Sequence, residues 1–492
     1  MVRACRELGI ESVAVYSDAD ARAMHVMLAD RAEPIGPARA ADSYLSVDAI
    51  LSAARRSGAE AVHPGYGFLS ENAAFAAAVE AAGLVFVGPP PATLAGLGDK
   101  LAARRTASAA GVPIVPGLSV ALDANGGGPS ADELARVGFP ALLKAAAGGG
   151  GRGMRRIERT DEIGPALALA RQEALAAFGD GTIYLERLIA PARHVEVQLL
   201  GDRHGQLAVL GERDCSVQRR HQKLVEESPS PAVTPAIREA LFDSARRIAG
   251  AVDFHNAATV EFLLDADGAH YFLEMNTRLQ VEHGVTELVT GIDLVGWQIR
   301  VAAGERLPGE ILETPRQGHA IEVRIYAEDP HHAFRPSGGA VTAWQMPSGP
   351  GVRVDAGVEA DTVLSPEYDP LLAKLMVHAA DRPAALARLR RALDETVIGG
   401  VQTDLSFHRW LVDDPVFVRG AYDTGLVAER WGDGPPVEPG DAAIAVLIAG
   451  RARLDRVADA RKAAGQDVVE RAGESRWAVE ARREAVKERR PR

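Results

Sequence analysis

Cysteine is scarce in this chain of 492 residues, and long hydrophobic runs are absent. The two cysteines, Cys5 and Cys215, make a disulfide framework or a zinc site built from cysteine improbable, and they favour a reducing compartment. No apolar run reaches the length that spans a membrane, and the N-terminal residues lack the apolar segment of a signal peptide. We therefore expect a cytoplasmic protein with no membrane association.

Net positive charge is also missing, because the formal net charge is −12. This balance argues against nucleic-acid binding, so any anionic substrate must be met by local positive charge. Only six of the 55 basic residues are lysine. A lysine carries a compact point charge that arginine cannot imitate, so the four lysines that precede residue 433 are candidates for special roles. The alternative is that lysine persists at these positions by chance. These four are Lys100, Lys144, Lys223 and Lys374.

The order of helical and strand patterns predicts an α/β region followed by an α+β region. Helices and strands alternate over residues 1–98, which predicts a parallel sheet with helical crossovers. The chain begins inside a helix, so we expect this domain to lack its first strand. Residues 113–186 form a second, smaller domain, and strands dominate residues 187–432. Residues 433–492 are a Pro/Gly linker and an Ala/Arg-rich tail, either a solvated or frayed helix or a helix that docks a partner.

Four consecutive glycines interrupt the second domain in "LLKAAAGGGGRGM", residues 142–154. Such a run costs backbone entropy, so it is a linker, a tight turn or a backbone that lies against a ligand. A dinucleotide fingerprint requires a helix next, whereas "MRRIE" predicts a strand, and the Gly-Lys-Ser/Thr of a P-loop is absent. A glycine hairpin that folds over a polyphosphate is favoured, with charge from Lys144 and Arg152, and a hairpin without a ligand is the alternative.

A second polar pattern occupies "EMNTRLQVE", residues 274–282. Its polar side chains are two residues apart, so an extended chain would place them on one face, which is either functional or merely solvated. Glu261 on a preceding strand, with Glu274 and Asn276, would suit the oxygen preference of Mg²⁺ (or Mn²⁺). The five polar residues are Glu274, Asn276, Arg278, Gln280 and Glu282.

A third stretch, "ERDCSVQRRHQK", concentrates positive charge in this net acidic chain. It is either part of an anion site or a surface ion-pair network. Cys215 within it has no base placed by spacing, so a buried structural thiol is favoured over a nucleophile.

Taken together, these segments resemble the biotin carboxylase component, the alpha subunit, of biotin-dependent acyl-CoA carboxylases, which are ATP-grasp enzymes. The resemblance runs from residue 1 to about residue 432. It implies an ATP-grasp fold with a Rossmann-like N-terminal domain, a small glycine-hairpin lid and a C-terminal mixed-sheet domain. The motifs that carry it are "HPGYGFLSEN", "KAAAGGGGRGM", "ERDCSVQRRHQK", "EMNTRLQVEH", "FRPSGG" and "YDPLLAKL".

The resemblance also implies roles for individual residues. Nucleotide contacts fall on Lys100, Lys144, Gly149, Gly150, Gly151, Met154, Glu186, Leu188, His194, Gln218 and His221. The metal site falls on Glu261, Glu274 and Asn276. The bicarbonate pocket falls on Lys223, Arg278, Gln280 and Val281, with Glu282 as general base and Arg353 beside the biotin enolate. Lys374 lies in a matched motif without an implied role.

The implied activity is carboxylation of carrier-borne biotin by bicarbonate, with ATP and Mg²⁺. The implied partners are a biotin carboxyl carrier protein and a carboxyltransferase subunit, in a homodimer or a larger complex. Gly284 stands where the family usually has proline, and no biotin-attachment motif is present. Two rival hypotheses are another ATP-grasp carboxylate ligase and a truncated, non-catalytic assembly partner.

Overall fold

A computed structural model describes residues 1–98, 100–118, 130–145, 154–178, 181–432 and 434. Contacts divide the chain into Met1–Pro436 and Val437–Arg492, and everything described lies in the first unit. The glycine run, with Gly149, Gly150 and Gly151, and the tail therefore lie outside the described residues. None of the helices in the described part of the chain combines the length and apolar character needed to cross a membrane.

The N-terminal segment contains two separate pairs of parallel strands with helices between them. The predicted opening helix ends before Gly9, whose φ is +69°, and of its apolar residues Ala4 is the one that is buried. The sequence patterns did not predict the strand at Arg31–Gly36. The helices are α1 (Val2–Glu7), α2 (Met24–Leu28), α3 (Val47–Ser57), α4 (Ala73–Ala81), α5 (Pro91–Gly98) and α6 (Lys100–Ala109). The strands are β1 (Val13–Ser17), β2 (Arg31–Gly36), β3 (Ala61–Val62) and β4 (Val85–Phe86).

The next segment is a small three-stranded sheet with its own hydrophobic core. Its central strand pairs antiparallel with the strands on both sides, as expected for strands flanking a hairpin. Ser130 begins the first helix with a capping box to Glu133. The elements are α7 (Ala131–Val137), β5 (Ala141–Ala145), β6 (Arg155–Ile157), α8 (Ile163–Phe178) and β7 (Ile183–Arg187).

An eight-stranded antiparallel sheet forms the largest part of the molecule, in the order β12-β11-β8-β9-β10-β13-β20-β18. Its strands are β8 (Ala192–Gly201), β9 (Leu207–Arg219), β10 (Gln222–Ser228), β11 (Asn256–Asp265), β12 (His270–Asn276), β13 (His319–Tyr326), β18 (Val352–Ala356) and β20 (Leu371–Ala379). Short strands beside it are β14 (Glu328–Asp329), β15 (Arg335–Pro336), β16 (Gly339–Ala340), β17 (Ala343–Gln345), β19 (Val363–Leu364) and β21 (Val397–Gly399). Its helices are α9 (Pro235–Gly250), α10 (His283–Thr290), α11 (Leu294–Ala302), α12 (Gly309–Leu312), α13 (Arg382–Glu395), α14 (Leu405–Leu411) and α15 (Pro415–Val418).

Alternation along the strands separates the core from a polar face of this sheet. In β8, Val195, Val197 and Leu199 pack with side chains of α9 in one hydrophobic cluster. The intervening His194 and Glu196 point to the opposite face, because successive strand residues alternate. This opposite face carries the candidate site.

Candidate active site

Strand register places charged residues of the large sheet side by side in two rows. Residues directly opposite each other on antiparallel strands have neighbouring side chains, so each row is a contiguous line of charge. The first row runs across four strands as Glu274, Glu261, Glu196 and Arg213. The second runs across three strands as Arg324, Lys374 and Asp355.

The ammonium group of Lys223 lies where three carboxylates converge. Its Nζ atom donates to Glu196 at 2.7 Å, to Glu261 at 3.0 Å and to Glu282 at 2.6 Å. Nζ has three N–H donors, so these three acceptors use its full capacity. Burial lowers the pKa of Lys223, but the surrounding anions outweigh it and hold the pKa well above its usual range. The lysine therefore stays cationic in a buried site.

Glu282 is fully buried at the start of α10. One carboxylate oxygen accepts from Lys223, and the other accepts from Arg324 at 3.0 Å. Burial raises the pKa of Glu282, but the cations of Lys223, Arg324 and Arg213 hold it well below its usual range. Glu282 is thus ionised at neutral pH and lies where it could accept a proton from a group bound beside it.

The backbone around Glu282 differs from the sequence prediction. Strand β12 ends at Asn276, and Glu282 follows in a turn rather than in an extended chain. The polar side chains nevertheless converge, because Arg278 donates to Asn276 at 3.0 Å and to Gln280 at 3.2 Å, and Gln280 donates to Glu261 at 3.3 Å. An extended chain over residues 274–282 is therefore not what brings these polar groups together; the turn after Asn276 does so instead.

The N-terminal segment contributes directly to this cluster through Glu71 in "HPGYGFLSEN". Its carboxylate accepts from Arg278 Nε at 3.0 Å and from the backbone N–H of Thr277 at 2.9 Å. Glu71 is a functional residue that the sequence patterns did not single out. The side chain of Arg278 is therefore oriented by a residue of the N-terminal segment, which is not part of the large sheet.

The residues assigned to the nucleotide converge on the same end of the sheet. Lys144 and Arg104 both form ion pairs with the buried carboxylate of Glu186, with Arg104 at 3.1 Å. Lys100 lies 4.0 Å from Glu274. Burial lowers the pKa of His221, and the cations of Lys144, His194 and Lys100 lower it further, so these groups lie near one another. Arg104 was not selected from the sequence.

Of three other assigned residues, Gln218 lies beside the cluster, whereas only local contacts are seen for Leu188 and Met154. Gln218 pairs with Lys223 across β9 and β10, and the backbone N–H of Leu188 donates to Pro140. Met154 directly precedes β6 and is partly buried.

The residues assigned to a metal form a set of donors that fits a divalent cation. Glu261 and Glu274 are directly opposite on β11 and β12, and Asn276 donates to Glu261 at 3.0 Å. Burial raises the pKa of Glu274, and the neighbouring Glu261 carboxylate raises it further. The buried Glu261 and the partly exposed Glu274 are two like charges held side by side, which a hard cation would stabilise, because carboxylate and amide oxygens are its ligands. His194 and Glu196 also place ligand atoms within 4.8 Å of those of Glu261.

The arginine that contacts Glu282 is Arg324, whereas Arg353, which the resemblance assigned to the biotin enolate, has other partners. Arg353 instead pairs with Glu287 at 2.6 Å and with Asp355 at 2.8 Å. Arg324 is buried and also donates to Glu226 at 2.6 Å. The alternation of charged and apolar residues in "IEVRI" and "HVEVQ" is the signal that would have found Arg324 and Glu196.

Cys215 is fully buried, and burial raises its pKa well above the usual range. A protonated thiol in this position is a poor nucleophile, so the prediction of a buried structural thiol is confirmed.

The large antiparallel sheet, the small three-stranded sheet and the rows of cations and carboxylates are the features of an ATP-grasp ligase. Three family descriptions match the chain in order. They are "Biotin carboxylase, N-terminal domain" over residues 1–94, "Carbamoyl-phosphate synthase L chain, ATP binding domain" over residues 99–310 and "Biotin carboxylase C-terminal domain" over residues 322–429.

Individual relatives agree with these matches. The biotin carboxylase of Halalkalibacterium halodurans is 48% identical over 87% of this chain and 94% of its own length. The rice methylcrotonoyl-CoA carboxylase subunit alpha is 46% identical over 88% of this chain and 58% of its own length. A dimer of the biotin carboxylase domain of Hydrogenobacter thermophilus 2-oxoglutarate carboxylase, in complex with MgADP, ADP and bicarbonate, matches with a TM-score of 0.84. That domain is 42% identical and is covered over 96% of its length, with 89% of this chain.

The chain belongs to the biotin carboxylase family. The predicted fold and the predicted class of enzyme, an ATP-dependent ligase, are therefore confirmed. The prediction of ATP and Mg²⁺ is confirmed for the family. The roles of individual residues and the domain boundaries stay predictions.

Proposed function

We propose that this chain carboxylates the biotin of a carrier protein with bicarbonate, as the first half-reaction of an acyl-CoA carboxylase. The observation that carries the proposal is the contact between Lys223 and Glu282, a fixed cation and a fixed carboxylate in one buried site. Such a pair can hold a small anion on the lysine and accept its proton on the glutamate. Arg278 and Gln280 supply further donors at the edge of the same pocket.

In the proposed first step, Glu282 removes the proton of bicarbonate. Its low pKa makes this transfer uphill in the free enzyme, because Lys223 and Arg324 both stabilise the ionised form. Bound bicarbonate would compete for these two cations, which weakens their hold on Glu282 and raises its basicity. The base is thereby strengthened only when the substrate is present.

In the proposed second step, an oxygen of the deprotonated bicarbonate attacks the γ-phosphorus of ATP. A new P–O bond forms as the bond to ADP breaks, which yields carboxyphosphate and ADP. Lys100 and Lys144 offset the charge of the transferred phosphoryl group. Glu261, Glu274 and Asn276 would hold Mg²⁺, which supplies further neutralisation of phosphate charge when it is bound.

In the proposed third step, carboxyphosphate separates into CO₂ and phosphate. The phosphate takes the proton of the biotin ureido nitrogen, and that nitrogen attacks CO₂. Negative charge develops on the ureido oxygen, and the contacts favour Arg324 over Arg353 as the group that offsets it, because Arg324 lies against Glu282. Water must be kept away, since carboxyphosphate hydrolyses readily, and a lid at residues 113–186 would serve that purpose.

The partners and final acceptor follow from the same proposal. A carrier protein, a carboxyltransferase subunit and a second copy of this chain are supported by the kinds of assembly in which the relatives occur. The relatives are named for different final substrates, so the acyl-CoA acceptor depends on the resemblance alone. The proposed cytoplasmic location depends on the scarcity of cysteine.

The test is ADP release from ATP by the purified chain, with bicarbonate, free biotin and Mg²⁺ each omitted in turn. We expect release to require bicarbonate and Mg²⁺ and to increase with biotin. Equal release when an amino acid replaces biotin would favour another ATP-grasp ligase. Absence of release under every condition would favour a non-catalytic assembly partner.

A further inference from the structure

Lys374 in "YDPLLAKL" has no role in the proposed reaction, yet it touches the backbone beside the proposed base. It is buried in β20, and its Nζ atom donates to the carbonyl oxygen of Val281 at 2.5 Å. That carbonyl belongs to the peptide group that joins Val281 to Glu282. Holding the carbonyl therefore fixes the plane of this peptide and the direction in which Glu282 leaves the backbone.

The same ammonium group is tied to α10 through a chain of ion pairs. Lys374 lies 3.6 Å from Asp355, and Asp355 accepts two hydrogen bonds from Arg353. Arg353 in turn donates to Glu287 of α10 at 2.6 Å.

These contacts close a ring around the base. The ring runs from the Val281 carbonyl through Lys374, Asp355 and Arg353 to Glu287, and α10 returns it to Glu282, at which that helix begins. The carboxylate of Glu322 also lies 3.7 Å from Lys374 Nζ. Burial raises the pKa of Glu322 to about 8, so Asp355 is the permanent anion beside the lysine.

We infer that Lys374 and Arg353 are positioning residues, which hold the Gln280–Glu282 turn in the geometry that accepts bicarbonate. The inference rests on the proposed function, because it concerns the pocket proposed to bind bicarbonate. It gives Lys374 a role and moves Arg353 from contact with biotin to support of the base. The ring touches the turn from the side of β18 and β20, away from Lys100 and Lys144, so nucleotide binding does not depend on it.

The test compares Lys374→Met and Arg353→Gln with wild-type protein in bicarbonate-dependent ADP release. Displacement of a reacting group by about 1 Å can cost about 100-fold in rate, so we expect kcat/KM for bicarbonate to fall by about 10- to 100-fold in Lys374→Met. Arg353→Gln acts one ion pair further away, and we expect a smaller loss of about 3- to 10-fold. The KM for ATP and the affinity for Mg·ADP should change by less than about twofold in both variants.

Arg430→Gln is the matched control, because Arg430 also pairs with an aspartate, Asp414 at 2.7 Å, outside the ring. It should leave kcat/KM for bicarbonate unchanged. The double variant of Lys374 and Arg353 should lose no more than Lys374→Met alone, since both act through one chain of contacts. Thermal unfolding of each variant identifies any that fails to fold. If the buried Lys374→Met variant does not fold, Arg353→Gln still tests the inference, because Arg353 is partly exposed.

The outcomes separate this inference from the proposed function. Wild-type protein without bicarbonate-dependent ADP release would overturn the proposed function. Normal wild-type activity, with an unchanged bicarbonate dependence in both folded variants, would overturn the positioning role alone. An equal loss for bicarbonate and for ATP would also overturn it, because a general structural effect does not discriminate between substrates.

Discussion

Replacement of Glu282 by glutamine isolates the proposed base from its structural role. The two side chains have the same shape, so the buried position stays filled. One oxygen of Glu282 accepts from Lys223 and the other from Arg324. The glutamine amide has only one oxygen, so its NH₂ group must face one of these two cations as donor against donor.

The structure sets the expected size of the effect. Loss of a hydrogen bond to a charged group costs about 1.5–3 kcal/mol, so the unfolding free energy should fall by roughly that amount. A positioned base contributes about 10²-fold or more to a rate, so turnover should fall by at least that factor. This factor corresponds to about 2.7 kcal/mol of activation free energy. ATP binding should stay near normal, because Lys100 and Lys144 are untouched.

The assay is bicarbonate-dependent ADP release at saturating ATP, together with thermal unfolding. Glu212→Gln is the matched control, because Glu212 is equally buried and pairs with Arg238 at 2.7 Å on another part of the sheet. It should lose stability as Glu282→Gln does, while keeping its turnover. Unchanged turnover in Glu282→Gln would remove this residue from the mechanism. An equal loss in both variants would mean that only stability had been measured.

Three further predictions concern a lysine, an acid group and a glycine. Lys223→Arg should reduce kcat/KM for bicarbonate by about 10-fold or more, because a planar fork cannot meet three carboxylates as a compact ammonium does; normal bicarbonate dependence would refute this. Burial opposes ionisation of Glu227, but the hydrogen bond from His319 helps to hold its pKa at about 2. Its stabilising contribution is therefore complete above pH 5 and lost as the pH falls towards 2, which amounts to about 3 kcal/mol. A flatter acid limb in Glu227→Gln, measured by chemical denaturation, would confirm it, and an unchanged limb would contradict it. A Cβ on Gly284 would lie 2.3 Å from Met376 Sδ, so Gly284→Ala should lower the unfolding free energy by about 1–3 kcal/mol, and added Met376→Ala should recover part of it. Additive losses would show that the two positions are not in contact.

The sequence predicted the elements whose patterns are local. The helix before Gly9, the strands around the glycine run and the polar residues near Glu282 all follow from short-range periodicity or from turn residues. Spacing alone also placed Glu261 near Glu274, and their cross-strand pairing confirms it. Family resemblance then supplied roles that spacing does not contain.

What the sequence could not supply depends on contacts between distant segments. Arg324 lies 42 residues from Glu282 along the chain, and only the register of β13 brings its guanidinium to the base. Arg353, like Arg324, is an arginine within a strand, yet its partners are Asp355 and Glu287. The turn after Asn276 was missed because polar alternation is the same in a strand and in an irregular segment whose side chains converge.

The hydrogen bond between Glu71 and Arg278 joins groups 207 residues apart in sequence. Groups this far apart in sequence can meet only after a long loop has closed, and closing it costs conformational entropy. The anion pocket around Arg278 therefore takes its final form only after the N-terminal segment has docked onto the large sheet. Recovery of bicarbonate-dependent activity during refolding should lag behind recovery of sheet structure. A Glu71→Gln variant should bind bicarbonate more weakly without shortening that delay, because the same segment must still dock.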